Sequence, residues 1–447
     1  MLDPASAGKV PRLGSGRRLA GAAILTAVVV GAALGYHLWR RDADYQALVL
    51  QGDQAMAAGD TAAAIEAFSG AIALKPRSML GWLKRGETYF RRGDHRSALR
   101  DLRQATTLDP AALRPLELLG DTNLALERFA RAADHYRTYL TLDDREHRLY
   151  YKLALALYQD GRADEARTVL AQAARLDDTV PEVHYLLGLC LAEARRHREA
   201  ARALERAVDL SPSFLAAREA LAARYRALGR AADELRQLEA LAALDARREA
   251  RYAALAEAYA RHGRPDLAVT TLARALERFP GSDVLLVALG RTWLGVAEDG
   301  RDPTAVAKAR EALRRAVAVT SSSTALTLLG RAELLAGEPA RALQTLVRAT
   351  RVFPVDDSAF RMMADAAERL GRHLVARDAL IQDAALQGSG ETPRLRAARA
   401  ARIADLSLRA GDPKTAVEWL ERAAEAAPGN AALAARLAAL RRNGGTE

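Results

Sequence analysis

Few of the residues that could do chemistry stand at spacings that chemistry uses. Ser6 and Lys9 fit the S-x-x-K arrangement, in which an amine activates a nucleophilic hydroxyl, but they lie in a short segment with no element to hold them. The run "GSGRRLAG", Gly14 to Gly21, resembles a dinucleotide loop; no strand precedes it, so the βα context such a loop needs is absent. The eight histidines are scattered, and no H-E-x-x-H, G-x-S-x-G or G-x-x-x-x-G-K-[ST] pattern occurs. His95, His197 and His373 fall at equivalent places early in a helix, which reads as turn packing and not as metal ligation. The single cysteine, Cys190, rules out an internal disulfide and a four-cysteine zinc knuckle; inside "VHYLLGLCLAEA" it is expected to be a buried core thiol. These residues predict a chain that is not an enzyme and that holds neither metal nor cofactor.

The elements that position these residues are helical. Half of the 447 residues are apolar but only 5% aromatic, and Ala, Leu and Arg dominate, which suits helices and argues against a sheet. The length exceeds one ordinary core, so the chain is expected to be several domains or an array of small units. Its net charge of +10 does not read as a nucleic-acid footprint. The arginines are spread over nearly every helix and interleaved with 56 acids, as on solvated helix faces.

From Leu19 to Trp39 the sequence "LAGAAILTAVVVGAALGYHLW" carries no formally charged residue. At ~1.5 Å per residue it is long enough to cross a bilayer as one transmembrane helix. Tyr36, His37 and Trp39 stand at its C-terminal edge, where amphipathic rings favour the headgroup level. Lys9, Arg12, Arg17 and Arg18 precede it, and Arg40 and Arg41 follow, diluted by Asp42 and Asp44. That asymmetry places residues 1–18 in the cytoplasm and the body across the inner membrane, in the periplasm of a two-membrane cell. A cleaved signal peptide with a site near Gly31, Ala32 and Ala33 is the rival reading.

The body repeats. Gly59, Gly93, Gly161, Gly229 and Gly263 stand at multiples of one 34-residue period, and Ala64, Ala98, Ala132, Ala166, Ala200 and Ala268 keep step five residues later. Pro76, Pro110, Pro212 and Pro280 mark unit ends. A glycine can end a helix in a left-handed conformation, an alanine lets two helices approach, and a proline cannot continue the helix before it. The unit is therefore a hairpin of antiparallel helices.

The pattern resembles the tetratricopeptide repeat (TPR). One unit gives Leu48, Gly52, Ala64, Phe68, Ala71 and Pro76; the next gives Trp82, Gly86, Tyr89, Ala98, Leu102, Ala105 and Pro110. The resemblance implies an all-α superhelical solenoid of about eleven units over residues 45–430, with later units starting near Leu113, His147, Pro181, Leu215, Glu249, Asp283, Ser323, Asp357 and Ala397. It is expected to carry an insertion near 295–304, a break near 387–393, a capping helix over 431–442 and a tail over 443–447. In the unit from Leu215, Glu234, Leu241 and Ala246 stand in place of two alanines and a proline, so looser packing or a displaced helix pair is expected there.

The resemblance also implies that partners bind in a groove lined by the second, fifth, ninth, twelfth and thirteenth residues of each first helix. On this chain those places hold Met56, Phe90, Arg91, Arg114, Glu117, Asp121, Arg148, Tyr151, Tyr158, Tyr185 and Leu189. Val49 and Asp53 stand where a carboxylate clamp needs lysine and asparagine, which disfavours chaperone-tail binding. Similarity to bacterial envelope-assembly TPR scaffolds implies a membrane-anchored scaffold that binds protein partners in the envelope and no nucleic acid. The alternative is a non-catalytic, substrate-handling subunit of a polysaccharide synthesis and export or cytochrome-maturation enzyme complex, with a glycan in the groove.

Overall fold

A computed structural model describes residues 15–300, 302–387 and 391–443, with side chains from residue 25 to 442. Every regular element described is a helix; no strand occurs among the described residues. The chain forms two compact units, one ending at Pro212 and the other starting at Ser213. The first contains α1 (Ser15–Ala57), α2 (Thr61–Leu74), α3 (Met79–Arg91), α4 (His95–Leu108), α5 (Leu113–Ala125), α6 (Phe129–Leu142), α7 (His147–Gln159), α8 (Ala163–Leu176), α9 (Pro181–Glu193) and α10 (His197–Leu210). The second contains α11 (Leu215–Ala227), α12 (Ala231–Leu244), α13 (Glu249–Arg261), α14 (Pro265–Arg278), α15 (Asp283–Glu298), α16 (Ala305–Val319), α17 (Ser323–Leu335), α18 (Pro339–Ala349), α19 (Ala359–Arg369), α20 (His373–Gln387), α21 (Pro393–Arg409), α22 (Pro413–Ala426) and α23 (Ala431–Asn443). Within each unit, every odd-numbered helix up to α21 packs on the even-numbered helix after it, so each pair is one hairpin.

In every hairpin except that of α15 and α16, the turn ends one helix and starts the next within three residues. At Gly93 (φ +83°) the backbone is left-handed; its N–H bonds the Phe90 carbonyl at 3.0 Å and the Asp94 N–H bonds the Tyr89 carbonyl at 2.9 Å. This satisfies carbonyls that the end of α3 would otherwise leave unpaired. Asp94 then caps α4, its carboxylate accepting from the Ser97 N–H at 3.1 Å. In two hairpins of the first unit a side chain stands where the others have glycine: Glu127 and Arg195, each at φ +56°. The 34-residue period is thus unbroken from Gly93 to Gly263 in backbone conformation even where the glycine is missing.

Each hairpin closes by small-on-large packing. Gly86 of α3 lies against Leu102 of α4 so closely that a Cβ would stand 2.9 Å from the leucine Cγ. The pairs Gly52 and Phe68, Gly120 and Tyr136, Gly188 and Leu204, and Gly330 and Leu346 repeat the contact. Ala64, Ala98, Ala132, Ala166, Ala200 and Ala268 are completely buried between the helices. A third device ties three of the hairpins to the turn before them: Trp82 donates to the Pro76 carbonyl (2.9 Å), His184 to that of Asp178 (3.0 Å) and Tyr252 to that of Ala246 (3.3 Å). Cys190 is buried, as its surroundings imply, and burial pushes its thiol up to about 11.

Some details depart from the sequence reading. Residues 295–298 continue α15, so only Asp299 to Thr304 forms the link to α16, with Arg301 outside the described residues. The first helix of the last hairpin begins at Pro393, four residues before Ala397, because Thr392 caps it with a bond from the Leu395 N–H. Packing around Glu234 is not loose. The carboxylate is fully buried and accepts from Arg226 (2.9 Å) of α11, and from Arg261 (2.9 Å) of α13 and His262 (2.9 Å) just beyond it. Where other units pack an alanine, this one packs a neutralised acid that links two successive hairpins.

The expected membrane span over 19–39 lies within α1, but its first residues are outside the described side chains. Among the described residues no helix is long and apolar enough to cross a membrane. Ser6 to Lys9, most of the expected cytoplasmic segment, residues 388–390 of the break and residues 444–447 of the tail also lie outside the described residues.

Two predictions test this packing. Ala98→Leu should destabilise the fold by about 1–3 kcal/mol, because it overpacks a closed helix crossing, whereas Arg96→Ala on the exposed face should cost no more than about 0.5 kcal/mol. Equal shifts in melting temperature would mean that Ala98 is not a crossing residue. For Glu234, burial alone would raise the carboxyl, but the bonds from His262, Arg226 and Arg261 outweigh it and hold the group below its ordinary 4.5. A depressed acid contributes stability above its unfolded value and loses it as pH falls through the folded one. Glu234→Gln should therefore cost about 2 kcal/mol at neutral pH, the partners being partly solvated. The gap to the parent protein should begin to shrink in urea melts as pH falls below the ordinary 4.5 and close below the depressed folded value; an equal gap at neutral and strongly acid pH would contradict the ion-paired reading.

Candidate functional site

The first helices of successive hairpins present the same residue numbers side by side, so charges 27 to 35 positions apart become neighbours. In the first unit this builds a ladder. Lys84 of α3 reaches Asp53 of α1 (2.8 Å), and Arg114 of α5 bridges Glu87 of α3 (2.8 Å) and Glu117 of its own helix (2.9 Å). Lys152 of α7 then closes on both Glu117 and Asp121 (2.8 Å each), while Tyr136 donates to Asp121 at 2.7 Å. Arg148 also faces Glu117, at 3.5 Å. Burial alone would raise the Glu117 carboxyl, but Lys152 and Arg114 together hold it below the usual range.

Arg114 and Arg148 thus spend at least part of their charge inside the fold. The sequence reading placed them on this face but missed Lys152, Lys84 and Glu87. The signal was available: opposite charges recur at matching places of adjacent units.

Beside the ladder lie the aromatic residues. Tyr151 and Tyr158 of α7 and Leu189 of α9 are half-buried, leaning on the core formed by α5 to α9. Tyr185 of α9 is half-buried next to Tyr151 and Tyr158, close enough to raise both phenols, which burial raises most. Phe90 packs on the core between α3, α4 and α5, with its ring 5.5 Å from that of His95. Met56 and Arg91 meet across a cleft of about 220 Å³, together with Asp53, Phe68, Lys84 and Glu87. The predicted residues therefore fall into three groups: a cleft at Met56 and Arg91, a charge ladder at Arg114, Glu117, Asp121 and Arg148, and a patch of Tyr151, Tyr158 and Tyr185 with Leu189, Phe90 being largely a packing residue.

The second unit holds a larger cleft, of about 470 Å³, that the sequence reading missed. Ala250, Ala253, Ala254, Val284, Val287 and Ala288 form its apolar wall, with Glu257, Asp283 and Arg291 at the charged places. Apart from Asp283, the first residue of α15, these residues occupy the second, fifth, sixth and ninth places of α13 and α15, the same numbers that line the face in the first unit. Small side chains leave the space open there; large ones fill it in the first unit. A search for aromatic anchors passes over such a cleft, whereas a search for small residues at those places would find it. No group of three or more His, Cys, Asp or Glu suited to a metal occurs among the described residues. The arrangement can bind an extended surface.

Comparison with known proteins agrees with this geometry. Two tetratricopeptide-repeat models match the chain, one over residues 83–147, 151–213, 303–351 and 327–391 and the other over 248–292, together more than half of it. The small glutamine-rich tetratricopeptide repeat-containing protein 2 of Mycosarcoma maydis is 30% identical over 128 residues, 29% of this chain and 36% of that protein. Protein bimA of Emericella nidulans is 30% identical over 95 residues, 21% of this chain and 12% of that protein. The match thus spans about a third or less of either relative. Among solved structures, PilF of Pseudomonas aeruginosa is similar at 20% identity and a TM-score of 0.38, over 46% of this chain and 94% of that one. With its 34-residue period, left-handed turns and small-on-large crossings, this chain belongs to the tetratricopeptide-repeat family of helical protein-interaction scaffolds.

Proposed function

We propose that the chain is a membrane-anchored scaffold. In this reading α1 crosses an inner membrane with its N-terminus in the cytoplasm, and the hairpins hold protein partners of an envelope complex on the other side. One observation carries the anchor. Leu25, Val28, Val29, Val30, Leu34, Tyr36, Leu38 and Trp39 are each 54–66% exposed on a single helix. Three consecutive valines point about 100° apart, so the apolar surface runs all round the helix and no single packed partner would cover it. Leaving eight such side chains in water would cost on the order of 10 kcal/mol, and a lipid environment removes that cost. The charge asymmetry around residues 19–39 sets the direction.

Partner segments lie on the first-helix faces. In the first unit Tyr151, Tyr158 and Tyr185 offer half-buried aromatic area with Leu189 beside it and Arg148 on the same helix as Tyr151; in the second, the alanine-lined cleft accepts a projecting apolar side chain. Tyrosine and arginine anchor interfaces because they bury large area at modest entropic cost.

The topology is tested by fusing, after Glu447, a phosphatase that is active only outside the cytoplasm and, separately, a reporter active only inside it. The anchored reading expects phosphatase activity alone, in membranes that keep the chain through an alkaline wash. Activity of the inside reporter would overturn the orientation, and release of a shortened chain by the wash would mean a cleaved leader.

A further inference from the structure

α1 does not end where the apolar run ends. It continues without a break through Trp39, Arg40 and Arg41 into the first helix of the first hairpin, finishing at Ala57. Three contacts clamp this continuation to the far end of α2. Arg41 donates to the Leu74 carbonyl (2.7 Å from Nε), Asp42 pairs with Lys75, and Tyr45, almost fully buried, bonds Ser78 at 2.8 Å with the Lys75 ammonium 4.6 Å from its ring. The turn Lys75 to Ser78 is therefore held level with residues 41–45 of α1. Trp39 to Tyr45 is six residues, about 9 Å of helix, and the headgroup layer outside the hydrocarbon is about 5–8 Å deep.

The charge of that turn differs from that of the three that follow it. The equivalent turns of the next three hairpins read "DPAA", "DDRE" and "DDTV" from Asp109, Asp143 and Asp177, all net acidic; the first reads "KPRS" from Lys75 and carries two cations with no acid. Arg77 and Arg40 are exposed, and neither makes a hydrogen bond or ion pair among the described residues.

We propose that this turn, with Arg40 and Arg41, rests on the anionic phosphates of lipid headgroups and fixes the first hairpin upright on the membrane surface. The inference rests on the anchored reading of α1. Basic segments beside a span are drawn to anionic lipid, and the attraction dies away within a Debye length, so only the turn nearest the bilayer gains by being basic. An unbroken clamped helix passes that orientation to the hairpins of the first unit, which a flexible linker would not do.

The test uses the full chain in phosphatidylcholine vesicles with and without phosphatidylglycerol, doped with a nickel-chelating lipid. A nitroxide is placed at Pro76→Cys or, as the control, at Pro110→Cys; Cys190 is buried and its thiol is pushed up, so it does not take the label. Nickel relaxation at position 76 should exceed that at 110 several-fold in the anionic vesicles. It should fall markedly without phosphatidylglycerol and in the Arg77→Glu background, which disturbs no contact of the fold. Equal relaxation at the two positions, or a signal at 76 that ignores both lipid charge and Arg77→Glu, overturns the proposal; an acidic protein partner would then be the better match for the basic turn. A chain that fails to float with the vesicles after alkaline washing overturns the anchor itself, and this proposal with it.

Discussion

The fold depends on one close approach, repeated: a glycine or alanine of the first helix of a hairpin against a large side chain of the second. At Gly86 and Leu102 there is no room for even one added carbon. Backbones that close leave no space for water, so each hairpin is a dry wedge whose remaining apolar face must be covered by its neighbour. The left-handed turn serves the same end, since three residues suffice to reverse the chain only if one of them takes positive φ, and Glu127 and Arg195 bear that strain where glycine is missing.

Because packing is concentrated between the two helices of a hairpin and at the next one's turn, the outer side of the first helices is left to vary. The first unit fills this face with an ion-pair ladder and tyrosines, while the second leaves it open over alanines. The ladder gives more register than energy: its outer members are partly solvated, and surface ion pairs contribute little each. Glu234, outside the ladder, differs: it is a fully buried charge whose three donors come from both neighbouring elements.

Much of this was legible in the sequence, and the gaps have physical causes. Glycines and alanines at a 34-residue period declare hairpins because their role is steric and needs no partner's identity. The start of α21 was misplaced because "QGSGETP" breaks the phase, and only the Thr392 cap sets the helix beginning. Glu234 was visible as a departure, but not its outcome, since its partners Arg226, Arg261 and His262 lie up to 28 residues away. The cleft lined by Ala250, Ala253 and Ala254 escaped for a different reason: cavities are made by what side chains lack.

The central claim is that the first-helix faces, and not the second-helix faces, meet the partner. Photo-crosslinking in intact cells tests it directly, with a benzophenone amino acid at Tyr151, Tyr185 or Ala254 on the first helices and at Arg103, Thr168 or Arg274 on exposed places of the second. The account predicts discrete crosslinked protein bands from the first set and none from the second. Bands of equal strength from both sets, or from Arg103, Thr168 and Arg274 alone, would contradict it.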